Sequence, residues 1–190
     1  MNLPNLLSVI RIILAPVFAL VFFIGTGSEY EQTLSIIAAL VLIFSGLTDF
    51  FDGVIARSYN MITELGKFLD PFADKLTQAV VCVCITIKHI EFLLVLIPFF
   101  VKELMSLAAS VVFIKEKVVL PSSRWYGKAT TFIFYILTIV IIIVPNIPST
   151  VIYVFSGIIV FFLFLTIINY LPIYFRIRKQ FAKKGTDSHK

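Results

Sequence analysis

The runs of apolar residues decide what this chain can fold into. A helix of about 20 apolar residues crosses a bilayer, and the sequence offers six stretches near that length, at 6–24, 33–50, 72–88, 92–114, 126–144 and 150–174. Six such spans use about 120 positions and leave about 70 for loops and termini, which excludes a sizeable soluble domain. Charged residues make up 14% of the chain and hydrophobic ones 59%, whereas a soluble domain carries about 25% charged residues. The expected fold is therefore an all-α integral membrane protein with six transmembrane helices, forming a single membrane domain over residues 1–190.

Charge placement orients the spans. Arg57, Lys67, Lys75, Lys115, Lys117, Arg124 and Lys128 fall in the second and fourth inter-span segments or beside them, and Arg176, Arg178, Lys179, Lys183, Lys184 and Lys190 crowd the C-terminus. Only Lys88 lies near the first, third and fifth. Basic residues accumulate on the cytoplasmic side, so the second and fourth segments and both termini are expected there. A basic tail after an apolar span fits an anionic lipid surface, and nucleic acid is not an expected partner. Cys82 and Cys84 sit two apart in VVCVCITI, a spacing that does not share a helix face, and read as packing residues. The opening MNLPNLLSVIRIILAP has neither a basic leader nor a small-residue cleavage site, and reads as mature protein.

Four of the 11 acidic residues, Asp49, Asp52, Asp70 and Asp74, fall within the 26-residue window 49–74 that joins the second and third spans. An aspartate deep in a membrane helix costs about 2.5–3.5 kcal/mol, so something must compensate. Asp49 and Asp52 are three apart and Asp70 and Asp74 four apart, so each pair shares a helix face. Two antiparallel helices can aim all four into one cleft. Crowded carboxylates repel unless cations separate them, and hard divalent ions such as Mg²⁺ or Mn²⁺ suit oxygen ligands and attract phosphate. Gly66 extends the stripe of Asp70 and Asp74, and Ala56 extends that of Asp49 and Asp52 if the helix runs on through Gly53. Small residues allow close approach of a ligand, and Arg57 can hold a phosphate through two hydrogen bonds. Singly, these residues also suit duller duties: Asp70 before Pro71 suits a helix N-cap, Asp49 a span end meeting water, Arg57 a positive-inside anchor.

Written out, the segment is D49-FF-D52-G53-VI-A56-R57, eight residues, then G66-KFL-D70-PFA-D74. It resembles the signature of the CDP-alcohol phosphatidyltransferases, D-x2-D-G-x2-A-R-x8-G-x3-D-x3-D, at every fixed position. The resemblance implies transfer of a phosphatidyl group from CDP-diacylglycerol to an alcohol, with release of CMP, at the cytoplasmic face of the cell membrane. It implies two Mg²⁺ or Mn²⁺ ions on Asp49, Asp52, Asp70 and Asp74. Asp74 is also implied as the catalytic base, and Asp49, Gly53, Ala56, Arg57 and Gly66 as the nucleotide site. It further implies a homodimer among membrane lipids.

The flanking GKFLDPFADK and the opening MNLPNLLSVIR look most like the bacterial phosphatidylglycerophosphate synthases of this family, whose acceptor is glycerol 3-phosphate. Cardiolipin synthases, which use phosphatidylglycerol, share much of this wording. A phosphate-bearing acceptor calls for further cations, for which Arg11, Lys102, Arg124 and Lys128 are candidates. Arg11 and Lys102 lie in or near apolar spans, where a lone charge is expensive. Arg11 has a structural alternative, a buried pair with Glu103 across helices. A divalent-cation transporter is the competing class, but it would spread its acids toward the bilayer midplane, whereas these gather at one end. Aromatic prenyltransferases are longer and carry two separate aspartate motifs.

Overall fold

The structure is a computed structural model that describes residues 3–58, 64–116, 125–144 and 146–187. Among them are six α-helices and no strand: α1 (Leu3–Gly25), α2 (Glu31–Ser58), α3 (Glu64–Lys88), α4 (Leu93–Glu116), α5 (Trp125–Ile143) and α6 (Ser149–Asp187). A short 3-10 turn, Ile90–Phe92, joins α3 to α4. The number of helices matches the number of apolar runs. Three segments are long and apolar enough to cross a membrane, Asn5–Gly25, Glu31–Asp49 and Ser149–Ile168. α3 and α4 pair apolar stretches with internal charges, namely Asp70, Asp74 and Lys75 on α3 and Lys102 and Glu103 on α4.

Two boundaries differ from the hydropathy reading. The polar stretch 52–67, which lies between the second and third apolar runs, is helical over 52–58 and 64–67. Apolarity ends where the bilayer does, but backbone hydrogen bonding continues, because each helical residue after the first turn satisfies its own N–H. Consequently Asp70 is not an N-cap: α3 begins at Glu64, and Asp70 lies inside the helix ahead of Pro71. The second difference is α6, which runs beyond 174 to Asp187.

α1 packs most extensively on α2 and α3, α4 and α5 each pack on α6, and α2 with α5 and α3 with α4 join the two groups. Ala38 and Ala39 are buried on α2, and small residues of this kind let membrane helices approach closely. Phe18 and Phe22 of α1, Leu42 of α2, Val81, Cys82 and Ile85 of α3, Phe99 of α4 and Ile152 and Ile159 of α6 belong to one continuous core. Cys82 and Cys84 are buried free thiols, as packing residues should be. Large apolar side chains also face outward, among them Leu20, Leu40, Leu104, Phe132, Phe161 and Phe164. So much exposed apolar surface on separate helices suits lipid rather than water.

The bundle is pinned at the end away from the acidic signature. Lys88 reaches Glu31 at 2.6 Å and lies 5.8 Å above the Phe22 ring, tying α3 to α2 and α1. Gln32 donates to the Ile143 carbonyl at 3.2 Å, tying α2 to α5. The Ser149 hydroxyl bonds Glu91, holding its carboxyl below the usual range and linking the 3-10 turn to α6. This fixes the far end so that the near end can be shaped by polar contacts.

Candidate active site

The signature occupies the end of α2 and the start of α3. Asp49, Asp52, Gly53, Ala56 and Arg57 all lie on α2, whose helix is continuous through Gly53. The side chains at 50–65 fall outside those described, so for Asp52, Ala56 and Arg57 only the helical backbone is placed. Gly66, Asp70 and Asp74 lie on α3 at successive turns, and Gly66 is buried. Asp74 of α3 interacts electrostatically with Asp49 of α2, and also with Arg11 and Lys102. Carboxylates distant in sequence thus share one polar region.

α1 supplies the first partners. Arg11 donates through Nη1 to the Asp49 carboxylate, and Ser8, three residues earlier on the same face, donates to Asp70. One helix face therefore touches both acidic helices. The Arg11 side chain is 1% exposed and that of Asp49 is 50% exposed, so the pair runs from the bundle interior to its edge. A buried guanidinium is tolerable only when paired. The suggested pair of Arg11 with Glu103 is not the one formed.

Glu103, 7% exposed on α4, instead receives Lys75 of α3 at 2.9 Å and its neighbour Lys102. Lys102 also lies 5.8 Å above the Phe99 ring. Two ammonium groups around one carboxylate leave a net positive charge beside Asp74. Of the other suggested acceptor-site cations, Lys128 lies on α5 with its side chain outside those described, and Arg124 lies outside the described residues.

Gln78, one turn after Asp74 on α3, donates from Nε2 to both Asp74 carboxylate oxygens at 3.1 Å, and Tyr135 of α5 interacts electrostatically with Asp74 and Asp49. Ser8, Lys75, Gln78 and Tyr135 were not anticipated from sequence. Gln78 had a readable signal, being a polar residue four positions after Asp74 on the same face. Ser8 had a weaker one, three positions before a costly arginine. Tyr135 had none, because it lies on α5, far in sequence from the acids with which it interacts. Among the described residues there is no group of three or more His, Cys, Asp or Glu side chains poised around one point as a metal site; Asp52, the fourth acid, is not among the side chains described.

Comparison with known proteins bears on this arrangement. The family model for CDP-alcohol phosphatidyltransferase matches residues 1–169. The chain is 38% identical over 137 residues to a Rickettsia felis protein named CDP-diacylglycerol--glycerol-3-phosphate 3-phosphatidyltransferase, covering 70% of each. Proteins of the same name from Rickettsia typhi and Escherichia coli (strain K12) are 41% identical over 90 residues and 43% identical over 86 residues. Those two matches cover 47% and 45% of this chain, and the chain spans about half the length of those curated relatives, 46% and 44%. With the signature complete and the family model matching from α1 into α6, over residues 1–169, the chain belongs to the CDP-alcohol phosphatidyltransferase family.

Proposed function

We propose that this chain transfers the phosphatidyl group of CDP-diacylglycerol to glycerol 3-phosphate, giving phosphatidylglycerophosphate and CMP, at the cytoplasmic face of the cell membrane, which it crosses several times as part of a homodimer. The observation that carries the reading is that one face of α1 holds an acid of each signature helix, Arg11 on Asp49 of α2 and Ser8 on Asp70 of α3. The printed names of the relatives support glycerol 3-phosphate as acceptor.

The donor set suits a hard divalent cation: Asp49, Asp70 and Asp74 offer carboxylate oxygens only, and Asp49 already draws a cationic guanidinium. Asp49, Asp52, Asp70 and Asp74 would hold Mg²⁺ or Mn²⁺, two ions for four carboxylates. When bound, such ions polarise the diphosphate and neutralise the charge developing on departing CMP. The residues of the chain do the rest. Gly53, Ala56 and Gly66 leave room for the cytidine diphosphate, and Arg57 grips a phosphate. Asp74 accepts the proton of the acceptor hydroxyl as its oxygen bonds to the phosphatidyl phosphorus and the bond from that phosphorus to the CMP oxygen breaks. Lys102 and Lys75 place positive charge where the phosphate of the acceptor would enter. The acyl chains remain in lipid between the helices, whose outward faces are apolar.

The test is CMP release by the purified protein in detergent with CDP-diacylglycerol and Mg²⁺. Release is expected with glycerol 3-phosphate and should be abolished by EDTA. Release with phosphatidylglycerol instead would assign the cardiolipin synthase reaction, and no release with any alcohol would end the proposal. Asp70→Asn and Asp74→Asn should each lower turnover by at least about a hundredfold, within the range for loss of a positioned base, while the protein stays folded.

A further inference from the structure

Glu103 answers two cations with one carboxylate. Its side chain is 10% exposed on α4, and each oxygen holds a different ammonium: Lys75 Nζ of α3 stands 2.9 Å from Oε2, and Lys102 Nζ of its own helix donates to Oε1. A buried acid needs one counter-charge. Lys75 alone supplies it and also joins α3 to α4, so a helix tether leaves Lys102 unexplained.

Lys102 is drawn away from the direction its place on α4 would give it. Consecutive residues of a helix project about 100° apart, and a lysine in an apolar helix ordinarily runs its stem toward water. Lys102 instead turns onto Glu103, over the ring of Phe99 one turn earlier, whose centroid is 5.8 Å from Nζ. That ring is itself fixed, being buried and stacked on Phe134 of α5. The side chains of Lys75 and Lys102 are 34% and 21% exposed, more open than the acid between them. An ammonium has three donors, so one bond to Glu103 exhausts neither. The trio carries a surplus positive charge, and Lys75 directly follows Asp74 on α3.

We propose that Glu103 is a positioning residue: it gathers the Lys75 and Lys102 ammonium groups into one fixed pair that receives the phosphate of the acceptor, with the acceptor hydroxyl toward Asp74. This rests on the function proposed above. Glu103 touches no substrate. It orders two flexible side chains before the acceptor arrives, and that preorganisation is its contribution to affinity.

The sign of its effect separates this role from plain electrostatics. As a negative charge alone, Glu103 would repel the phosphate, and its removal would tighten binding; as the organiser of the pair, its removal weakens binding. In Glu103→Gln, KM for glycerol 3-phosphate should rise about tenfold, with kcat and KM for CDP-diacylglycerol within about threefold of wild type, the pattern of lost binding rather than lost chemistry. Glu103→Asp keeps the charge and should recover most of the loss. An unchanged or lowered KM in Glu103→Gln overturns the proposal, as does a fall in kcat at unchanged KM; a tether alone would lower the thermal midpoint and leave KM where it was. If Glu103→Gln does not fold, Lys75→Met, at a more open position, tests the same pair: KM for glycerol 3-phosphate should again rise about tenfold, and no rise overturns the proposal.

A second measurement needs no turnover. In metal-free protein, glycerol 3-phosphate should raise the thermal midpoint, at a half-maximal concentration about tenfold higher in Glu103→Gln than in wild type. Equal concentrations overturn the proposal. Wild-type protein that binds glycerol 3-phosphate in this way, with the expected loss in Glu103→Gln, but releases no CMP overturns the reaction assignment alone, so the two failures are distinguishable.

Discussion

The buried charge on Arg11 is a costly residue choice. Its side chain is 1% exposed whereas that of its partner Asp49 is half exposed, so the desolvation cost of the pair falls mainly on the arginine. The two partners should therefore not respond equally to truncation. Asp49→Asn takes the facing charge from a buried guanidinium and should cost about 3 kcal/mol of stability, the lower end for a broken buried pair. Arg11→Met removes the buried charge itself and leaves a carboxylate that reaches solvent, and should cost about 1 kcal/mol, closer to an exposed pair. Denaturant unfolding in detergent of metal-free protein checks the order; equal losses would place the desolvation cost elsewhere. That position 11 matters is legible in sequence, because a lone arginine among apolar residues is expensive wherever it lands. Its partner is not legible. Glu103 and Asp49 are both acids on other helices, and the choice depends on α1 packing against α2 and α3. Tyr135 and Lys75 are hidden for the same reason, whereas the spacing of Asp49, Asp52, Asp70 and Asp74 shows because each pair shares one helix.

At the scale of elements, hydropathy identifies all six helices but misplaces the ends of those that carry the chemistry. α2 and α3 extend beyond their apolar runs, to Ser58 and back to Glu64. The extension matters, since it keeps Asp52 and Arg57 in helical register with Asp49, and Gly66 in register with Asp70. The packing of α1 on α2 depends on a different detail, the close approach at the end of α1. A Cβ at Gly25 would stand 2.8 Å from the Cβ of Leu34 on α2. That neighbour is anchored to backbone and cannot swing aside. Gly25→Ala should therefore destabilise by about 1–3 kcal/mol through overpacking. Gly46 is the control: it lies inside α2 with nothing within 4 Å of an added Cβ. Gly46→Ala should be neutral or stabilising by up to about 1 kcal/mol, the helix-propensity difference. Thermal melts of the two variants in one detergent separate the effects, and a Gly25→Ala midpoint equal to that of Gly46→Ala would mean that α1 and α2 do not approach this closely.

The whole molecule is polarised end to end. One end carries the acidic signature with Ser8, Arg11, Lys75 and Lys102; the other carries Lys88 on Glu31, the 3-10 turn and the tight turn with Asn146 at φ 52°. An even number of helices returns both termini to the signature end. Basic residues are concentrated at that end and in the tail, and the cytoplasmic orientation proposed above is the one that the positive-inside rule favours. The two native cysteines provide a quiet background for testing this. Cys82 and Cys84 are 0% and 2% exposed, and a buried thiol in apolar surroundings reacts slowly. A cysteine at Tyr30, which is 68% exposed between α1 and α2, should react with a membrane-impermeant maleimide added to intact cells. A cysteine at Ser58, at the last residue of α2, should react only after the membrane is opened. α2 separates the two positions by 28 residues counted Glu31–Ser58, about 42 Å of helix, more than the roughly 30 Å of hydrocarbon it has to cross. Labelling of Ser58→Cys from outside, with Tyr30→Cys protected, would invert the molecule and put the four aspartates on the wrong side for a nucleotide-linked lipid. Labelling of both from outside would mean that α2 does not span at all.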